Sequence, residues 1–456
     1  MNRKMIHTEG ESGQSLARRS WQEASLGKAS KDLLLRDSEA FLHQSISTPC
    51  LGTIRRAEGI WIEDLEGRRY MDFHGNSVHH VGYGHPAVIS AIRNQLEELS
   101  FAPRRFTNET AVRLAETLIE RSPWDEGKVL FTTGGSDAIE VALKIARAAT
   151  GRFKTLSFWD SFHGAGFGAA SVGGESTFRS HIAGPLLPGT EHVAPFACYR
   201  CPYGHREPET CGLACAEMIR YVLGREGDVA AFIAEPMRAI PYVPPRGFWK
   251  SVRQACDEFG VLLVFDEIPT GLGKTGRFLA CEHDQVDPDI LVLGKALGGG
   301  VLPIAAVISR EDLDVAGDFA IGHYTHEKNP VTASAAVATL DIIDSESLVE
   351  RARVLGDHAM GRLREFAAGP GRPNVGDVRG RGLHFGVEIV EGTGSRAPDP
   401  GRAERILYSC LDAGLSFKIS QGNVLTLSPP LVIGRDDLDR ALSIVEAAIL
   451  EEDLER

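Results

Sequence analysis

The sequence predicts an α/β protein with a large domain, in which helices cover a mainly parallel sheet, and a smaller α+β domain. From about residue 110 the chain alternates strand-like and helix-like segments, a pattern typical of a parallel sheet covered on both faces. After about residue 330 it becomes helix-rich and closes with short strands and a final helix, which indicates a second domain. Two apolar runs of the large domain end beside reactive side chains, Asp266 and Lys295.

The composition is that of an ordinary globular chain and argues against several classes of function. The 456 residues suffice for two or three domains, with 43% hydrophobic and 24% charged residues. A net charge of −13 argues against a nucleic-acid partner. No apolar stretch approaches the ~20 residues of a membrane helix, and residues 1–44 contain no apolar signal core. We therefore expect a cytoplasmic protein that binds neither nucleic acid nor membrane.

Periodicity predicts the individual elements in chain order. Apolar positions spaced as on a helix face predict helices at 29–45, 86–99 and 137–149. Residues 61–73 alternate apolar and polar side chains around Glu66-Gly67, which predicts a hairpin. Short apolar runs predict strands at 129–131, 155–158, 230–234, 261–265, 290–293, 383–389 and 423–427.

These elements predict four segments along the chain. They are a mobile N-terminal segment and helix (1–45), the first part of the smaller domain (46–75), the large domain (76–330) and the rest of the smaller domain (331–456). We expect the first 30 residues to be mobile or to drape over a partner subunit.

The acid and the lysine at two strand ends can meet on one ligand, because open α/β sheets bind ligands at the carboxyl ends of their strands. Pyridoxal phosphate needs this pair: a lysine bonds to its aldehyde, and an acid keeps its ring nitrogen protonated. The alternative is a nucleotide hydrolase, since Gly273-Lys274-Thr275 looks like the end of a phosphate loop. That loop requires a glycine where this chain has Ile268, which argues against the alternative.

Two further motifs favour the same cofactor. Gly134, Gly135 and Ser136 follow a strand and open a helix, an arrangement that can bind a phosphate. The next strand leads to Phe162-His163, whose aromatic side chain can stack on a planar ring. Each motif alone is weak, because glycine turns and core phenylalanines are common, but their chain order with the acid and the lysine strengthens both.

Together these motifs resemble the class-III aminotransferase family of fold-type-I pyridoxal phosphate enzymes, over roughly residues 45–450. The resemblance implies cofactor contacts from Gly135, Ser136, Phe162, His163, Glu235, Asp266, Ile268, Lys295 and Thr325. Asp266 is expected on the pyridine nitrogen, Ile268 under the ring and Lys295 on the aldehyde, so that Asp266 and Lys295 are the catalytic residues. Thr325 is expected to reach the phosphate of a neighbouring subunit, which implies a homodimer with shared sites.

The chain departs from the family where the substrate is expected. Members that use α-amino acids have an arginine ahead of a Pro-Pro pair, and here Thr426 stands in that place; threonine cannot grip a carboxylate as a guanidinium does. Candidate substrate contacts are Asn76, His79, Arg104, Arg105 and Arg238. One arginine alone is more often a solvated surface charge, but together they predict a small, strongly anionic amine substrate, such as a phosphonate.

Within the family, three segments resemble a lyase branch that acts on a hydroxylated aminophosphonate: 198–204, 266–271 and 426–430. This implies elimination of water and ammonia to give phosphonoacetaldehyde, with Lys295 as general base and His79 or His80 protonating the leaving hydroxyl. The alternative is an ω-aminotransferase that moves a terminal amino group to a small keto acid. A third hypothesis, a catalytically idle protein or a nucleotide hydrolase, is disfavoured by the intact lysine and acid.

Four of the eight cysteines cluster as Cys198-x2-Cys201-x9-Cys211-x3-Cys215, with His205 between them. The spacing resembles that of a zinc ribbon. Because the segment contains only one C-x-x-C pair and lies in a Pro- and Gly-containing insert, we assign no metal and expect thiols kept reduced in the cytosol.

Overall fold

A computed structural model describes residues 14–180 and 183–454, which form two compact units. The large unit comprises His85–Val349, and the small unit comprises the chain up to Gly84 together with Glu350 onward. The second boundary lies later than the sequence predicts because the helix Pro330–Ser345 packs against two helices of the large unit. Its apolar composition alone does not indicate which unit it joins.

Strands and helices are numbered here in chain order within the described residues. The strands are β1 (Arg56–Glu58), β2 (Trp61–Glu63), β3 (Arg69–Asp72), β4 (Gly127–Thr132), β5 (Lys154–Phe158), β6 (Thr190–Val193), β7 (Val229–Ala234), β8 (Leu262–Asp266), β9 (Ile290–Leu293), β10 (Ala305–Arg310), β11 (Val375–Arg381), β12 (His384–Ile389), β13 (Leu415–Ser416), β14 (Lys418–Ser420) and β15 (Val424–Leu427). The helices are α1 (Leu16–Ser25), α2 (Lys28–Ala40), α3 (Pro86–Glu98), α4 (Glu109–Glu120), α5 (Gly135–Thr150), α6 (Phe167–Val172), α7 (Ser176–Arg179), α8 (Ala214–Glu226), α9 (Phe248–Phe259), α10 (Pro330–Ser345), α11 (Leu348–Ala368), α12 (Pro400–Asp412) and α13 (Arg435–Leu454).

The large unit is built on a seven-stranded sheet in the order β4-β10-β9-β8-β7-β5-β6. Strands β6, β5, β7, β8 and β9 pair in parallel, whereas β10 is antiparallel to both of its neighbours. The prediction of a mainly parallel sheet is therefore confirmed. Strand β6 was not predicted because its central residues, Glu191 and His192, interrupt the apolar pattern.

Helix α5 covers one face of this sheet with a fully apolar stripe. Its buried residues pack in one core cluster with Ile233, Val264 and Val292 of the central strands. The intervening residues of the same strands face the other way, where Phe265 contacts Trp249 of α9 at 4.6 Å between ring centroids. Burial on both faces holds the carboxyl ends of β7, β8 and β9 in fixed positions.

The small unit contains two four-stranded sheets, β1-β2-β3-β13 and β11-β12-β15-β14. The predicted hairpin is present, since β2 pairs antiparallel with β3. Trp61 lies opposite Met71, and Glu63 lies opposite Arg69. Strand β13 adds in parallel to β3 and joins the N-terminal and C-terminal parts of the unit. Among the described helices, none is both long enough and apolar enough to cross a bilayer.

Helix α1 occupies part of the segment that the sequence predicts to be mobile. Trp21 stacks on Tyr408 with centroids 5.7 Å apart, and its Nε1 donates a hydrogen bond to Asp412 Oδ1 at 2.9 Å. Trp21 contacts residues almost 400 positions away in the chain, so the local sequence pattern around it does not predict these contacts. The rest of that prediction, for residues 1–13, lies outside the described residues.

Candidate active site

The carboxyl ends of β8 and β9 present the predicted acid and lysine side by side. Asp266 pairs in register with Val292, and the next backbone amide, that of Glu267, donates to the Val292 carbonyl at 2.9 Å. Lys295 follows three residues later, at the start of a 3-10 turn, with a left-handed φ of 44°. Residues other than glycine rarely adopt this backbone conformation. Where they do, the strained backbone often marks a functional site.

The Asp266 carboxylate is buried and held by two donors. His163 Nδ1 donates to Asp266 Oδ2 at 2.8 Å, and the backbone amide of Ile268 donates to Oδ1 at 3.0 Å. Both the acid, at 2% exposure, and the histidine, at 3%, are closed to solvent. Because a carboxylate only accepts, the proton of this imidazole lies on Nδ1. The other nitrogen, Nε2, is buried with no partner among the described residues.

A second buried carboxyl, Glu235, lies at the end of the neighbouring strand β7. Burial raises the pKa of Glu235, and the nearby His163 opposes that rise. Asp266, Arg238 and Lys295 also act on this pKa, the acid raising it and the two cations lowering it. Four ionisable groups of the large unit therefore lie close enough to Glu235 to influence its charge, which is typical of a catalytic site.

The glycine turn before α5 lies against the residue that follows Asp266. A Cβ on Gly135 would stand 2.7 Å from Ile268 Cδ1, so any other residue here would force the Ile268 side chain to move. The neighbouring Ser136 Oγ accepts a hydrogen bond from the Ala165 amide at 3.0 Å, and a Cβ on Gly164 would lie 2.6 Å from that oxygen. The motifs at 134–136, 162–164 and 266–268 thus converge, with the helix N-terminus providing backbone donors for an anion.

Two predicted cofactor contacts lie at the surface of the described chain. Phe162 is 41% exposed, and its ring packs at 4.4 Å from that of Phe178. Thr325 is exposed on the loop that precedes α10. Both side chains are open to a ligand or to another subunit, and their predicted roles stay predictions.

Two of the three predicted substrate arginines lie on one exposed segment of the large unit. Arg104 is half-buried, and its Nη2 donates to His323 Nε2 at 2.8 Å, while Arg105 is exposed. The sequence does not indicate that His323 lies beside Arg104, because 219 residues separate the two. Its left-handed φ of 66° is the one local peculiarity, and it is visible only in the structure.

Arg238 differs from the other two, because it is 1% exposed. It donates to the Asp160 carbonyl and lies over the Tyr242 ring at 5.6 Å. Its Nε and Nη1 are buried and have no hydrogen-bond acceptor among the described residues. A buried guanidinium with unsatisfied donors is a costly feature that favours an anionic ligand or a charge role beside Glu235.

The remaining predicted substrate residues lie in the small unit. Asn76 is exposed with a left-handed φ of 46°. His79 is fully buried, contacts the Asp72 carbonyl through Nε2 at 3.0 Å and packs against Tyr83. Its role toward a substrate stays a prediction, because the chain itself already occupies that nitrogen.

Thr426, in β15, is also buried in the small unit. Its Oγ1 donates to Ser420 Oγ at 2.8 Å, across the β14-β15 pair. The hydroxyl is used within the sheet, and a threonine supplies no positive charge at this position.

Comparisons with known proteins agree on one family. The family model described as aminotransferase class-III matches residues 43–449. The chain is 45% identical to the (R)-1-hydroxy-2-aminoethylphosphonate ammonia-lyase of Vibrio splendidus, over 97% of this chain and 95% of the relative. It is 38% identical to the leucine/methionine racemase of Thermococcus litoralis, over 87% and 90% of the two chains. An amine transaminase from an uncultivated Pseudomonas species, solved in its PLP-bound form, superposes with a TM-score of 0.83 and 32% identity over 90% and 98% of the two chains.

Proposed function

The chain belongs to the class-III aminotransferase family, and we propose that within it the protein is an ammonia-lyase that converts (R)-1-hydroxy-2-aminoethylphosphonate into phosphonoacetaldehyde and ammonia. The observation that carries the proposal is the 45% identity to the Vibrio splendidus enzyme of that name, along nearly the whole of both chains. The racemase is less similar and covers less of the chain. The alternative is an ω-aminotransferase, which is supported by the similarity to the Pseudomonas amine transaminase.

Pyridoxal 5′-phosphate is the cofactor, and the large unit fits it on observations independent of any relative. The absent Cβ of Gly135 leaves the N-terminus of α5 open beside Ile268, where backbone donors suit a phosphate. The buried Asp266 carboxylate suits a protonated ring nitrogen, because His163 and a backbone amide hold it in place. Lys295 stands at the next strand end for attachment to the aldehyde. When bound, the cofactor accepts the electron pair left after a proton is removed beside the substrate nitrogen.

We assign the proton movements to residues of the chain. Asp266 holds the ring-nitrogen proton, and the hydrogen bond from His163 fixes the orientation of its carboxylate. Lys295 would hold the cofactor through its aldehyde and, as general base, would remove the proton from the substrate carbon that bears the nitrogen. The hydroxyl on the neighbouring carbon leaves as water after protonation. His79 and His80 are the sequence-based candidates for that acid, and both are buried in the small unit.

The atoms balance as a net loss of ammonia. The substrate loses a proton and a hydroxyl as water, and the released enamine isomerises to an imine. Water then adds to that imine and ammonia leaves, which gives phosphonoacetaldehyde. One water is lost and one is regained, so no keto acid is consumed.

Substrate recognition is assigned to cations that suit a phosphonate. Arg104 and Arg105 lie on one segment, and His323 beside Arg104 can join them on a doubly charged head group. The absence of an arginine at Thr426 removes the grip on a keto-acid carboxylate, which supports elimination over amino transfer.

We also propose a homodimer with shared sites, because the exposed Thr325 is expected to reach the phosphate bound by a neighbouring subunit. A role in phosphonate catabolism follows from the proposed substrate. A cytoplasmic location stays a prediction.

The proposal is tested by incubating the PLP-loaded protein with (R)-1-hydroxy-2-aminoethylphosphonate and no keto acid, and by measuring ammonia. We expect release over many turnovers, since elimination regenerates the enzyme. An aminotransferase stops after one turnover per site, because the amino group remains on the cofactor. Release limited to one equivalent, with turnover restored by pyruvate, would replace the proposal with the aminotransferase alternative.

A further inference from the structure

The cysteine-containing insert between β6 and α8 takes no part in the proposed reaction, yet it gathers four thiols around one cavity. Cys198 opens a 3-10 turn, Cys201 follows that turn, Cys211 precedes α8 and Cys215 lies in its first turn. All four line the same cavity, together with side chains such as His205 and Tyr203. Separate segments of the insert therefore deliver their cysteines to one place.

The four cysteines are thiols and not disulfides. Cys215 is buried, and Cys198, Cys201 and Cys211 are partly exposed. The remaining wall of the cavity is largely apolar, formed by residues such as Phe196 and Pro245. Cysteine thiolates are ligands that a soft divalent cation prefers, so four cysteines on the wall of one cavity form a candidate set of metal ligands.

The spacing of the cysteines forms two ligand pairs. Cys198 and Cys201 are separated by two residues, and Cys211 and Cys215 by three. Both spacings fall within the range of two to four residues, typical of paired zinc ligands. The second pair is bent by left-handed residues, Gly212 with φ 58° and Leu213 with φ 56°, which fold the chain back toward Cys211. The sequence-based expectation of reduced thiols rested on the single C-x-x-C pair, but a separation of three residues also falls within the range of paired zinc ligands.

We propose that Cys198, Cys201, Cys211 and Cys215 bind one structural Zn²⁺ ion in a tetrahedral site. Four thiolates satisfy the coordination number of zinc with no open position, so the ion would be structural and not catalytic. In the part of the chain that the structure describes, no three potential ligands are already arranged around a common point. The ion would therefore draw the two pairs together across the cavity, and zinc binding would order the insert.

The test measures the zinc content of the full-length protein, produced with zinc in the medium and dialysed without chelator. We expect about one zinc ion per chain. Cys201→Ser and Cys211→Ser, one from each pair, are expected to lose it. Two matched controls are expected to keep it: His205→Ala, which changes a side chain of the same cavity, and Cys50→Ser, which changes a cysteine elsewhere.

Cobalt provides a second measurement on the wild-type protein, which does not depend on variants that fold poorly. Co²⁺ bound in place of zinc is expected to show the intense d–d absorption of a tetrahedral thiolate site. A wild-type protein that retains no zinc and gives no such spectrum would overturn the proposal. So would serine variants that keep the wild-type zinc content. Loss of zinc from the His205→Ala variant would overturn the assignment to four cysteines.

Discussion

At the scale of single residues, the site is explained by which groups are buried and which neighbours satisfy them. Asp266 is almost inaccessible, yet it accepts hydrogen bonds from His163 and from a backbone amide, which fix the orientation of its carboxyl group. Lys295 lies at a strained backbone position beside it. The buried strand ends and the glycine-rich turn that follows keep Lys295 in this strained backbone conformation.

The arginines that we propose to bind the substrate provide a prediction at this scale. Replacing Arg104 or Arg105 with glutamine removes a charge-assisted hydrogen bond to the phosphonate, and we expect KM to rise roughly tenfold or more, with kcat changed much less. Steady-state kinetics of each variant measures this effect.

The matched control is Arg113→Gln, which removes an exposed arginine that pairs with Asp341 on the surface. Its KM should equal that of the wild type. If both substrate-site variants also keep the wild-type KM, these arginines do not bind the anion.

At the scale of elements, the site forms because three strand ends and one helix start meet. The register of β8 and β9 sets Asp266 beside the start of the turn that contains Lys295. The first residue of α5, Gly135, approaches Ile268 so closely that a side chain there would displace the end of the Ile268 side chain. Helix α5 packs against one face of these strands and α9 against the other, which keeps the strand ends in place.

The contact between Gly135 and Ile268 provides a prediction for this junction. Gly135→Ala places a methyl group 2.7 Å from Ile268 Cδ1, so the Ile268 side chain must move away. Because we place this side chain in the proposed cofactor site, we expect the affinity for pyridoxal phosphate to fall roughly tenfold. Fluorescence titration of the apoenzyme measures this affinity.

A second substitution isolates the cause. Ile268→Val removes the Cδ1 atom that the new methyl group meets, so the double variant should regain part of the lost affinity. Gly361→Ala, at an open position of α11 with nothing within 4 Å, should have no effect on cofactor binding. If the double variant binds the cofactor as weakly as Gly135→Ala does, steric contact is not the reason.

Strand β6 provides a prediction of pH dependence. His192 stacks on Trp159, and burial, followed by the positive charge of Arg179, lowers its pKa from 6.5 to about 4. Between these values the unfolded chain binds a proton that the folded chain does not, so stability rises with pH and falls on acidification below pH 6.5. Since the ring is partly exposed, we expect this to amount to about 1 kcal/mol at pH 5.

The variant His192→Gln should therefore lose less thermal stability between pH 7 and pH 5 than the wild type loses. Unfolding midpoints at the two pH values measure this, with His43→Gln, an exposed histidine of the small unit, as the control for removing a histidine. An equal loss in the wild type and in His192→Gln would show that another group causes the acid sensitivity.

At the scale of the whole molecule, the proposed dimer makes each site depend on two chains. We expect that a hybrid dimer of one Lys295→Ala subunit and one Thr325→Ala subunit regains one intact site. The lysine and the threonine of that site come from different chains, so both are wild type there. The two homodimeric variants should be inactive at limiting cofactor concentration.

The hybrid is obtained by co-expressing the two variants with different affinity tags and purifying over both. Ammonia release at limiting pyridoxal phosphate is then compared with that of each homodimer. If the hybrid is no more active than the homodimers, Thr325 acts within its own chain or not at all.

The sheet, the cofactor and the motifs at the strand ends could be predicted from the sequence because each depends on local order. An apolar run, a glycine turn and a reactive residue at the end of a strand are adjacent in the chain. The contacts that complete the site were not predictable in the same way. His163 and Asp266 are 103 residues apart, and Arg104 and His323 are 219 apart, so only the folded chain brings each pair together.

The unpredicted parts of the fold have a similar cause. Helix α1 is held by Trp21 on a helix near the other end of the chain, and nothing in its own periodicity indicates that partner. The sequence contains only one C-x-x-C pair in this insert, and only the folded chain shows that all four cysteines line one cavity.

The central claim is elimination, and the identity of the phosphonate product tests it most directly. Elimination removes the hydroxyl from the carbon attached to phosphorus, whereas amino transfer leaves that hydroxyl in place. The measurement is the ³¹P NMR spectrum of the reaction of (R)-1-hydroxy-2-aminoethylphosphonate, with and without pyruvate. We predict phosphonoacetaldehyde in both reactions. A product that retains its hydroxyl and forms only with pyruvate would contradict the account and identify an aminotransferase.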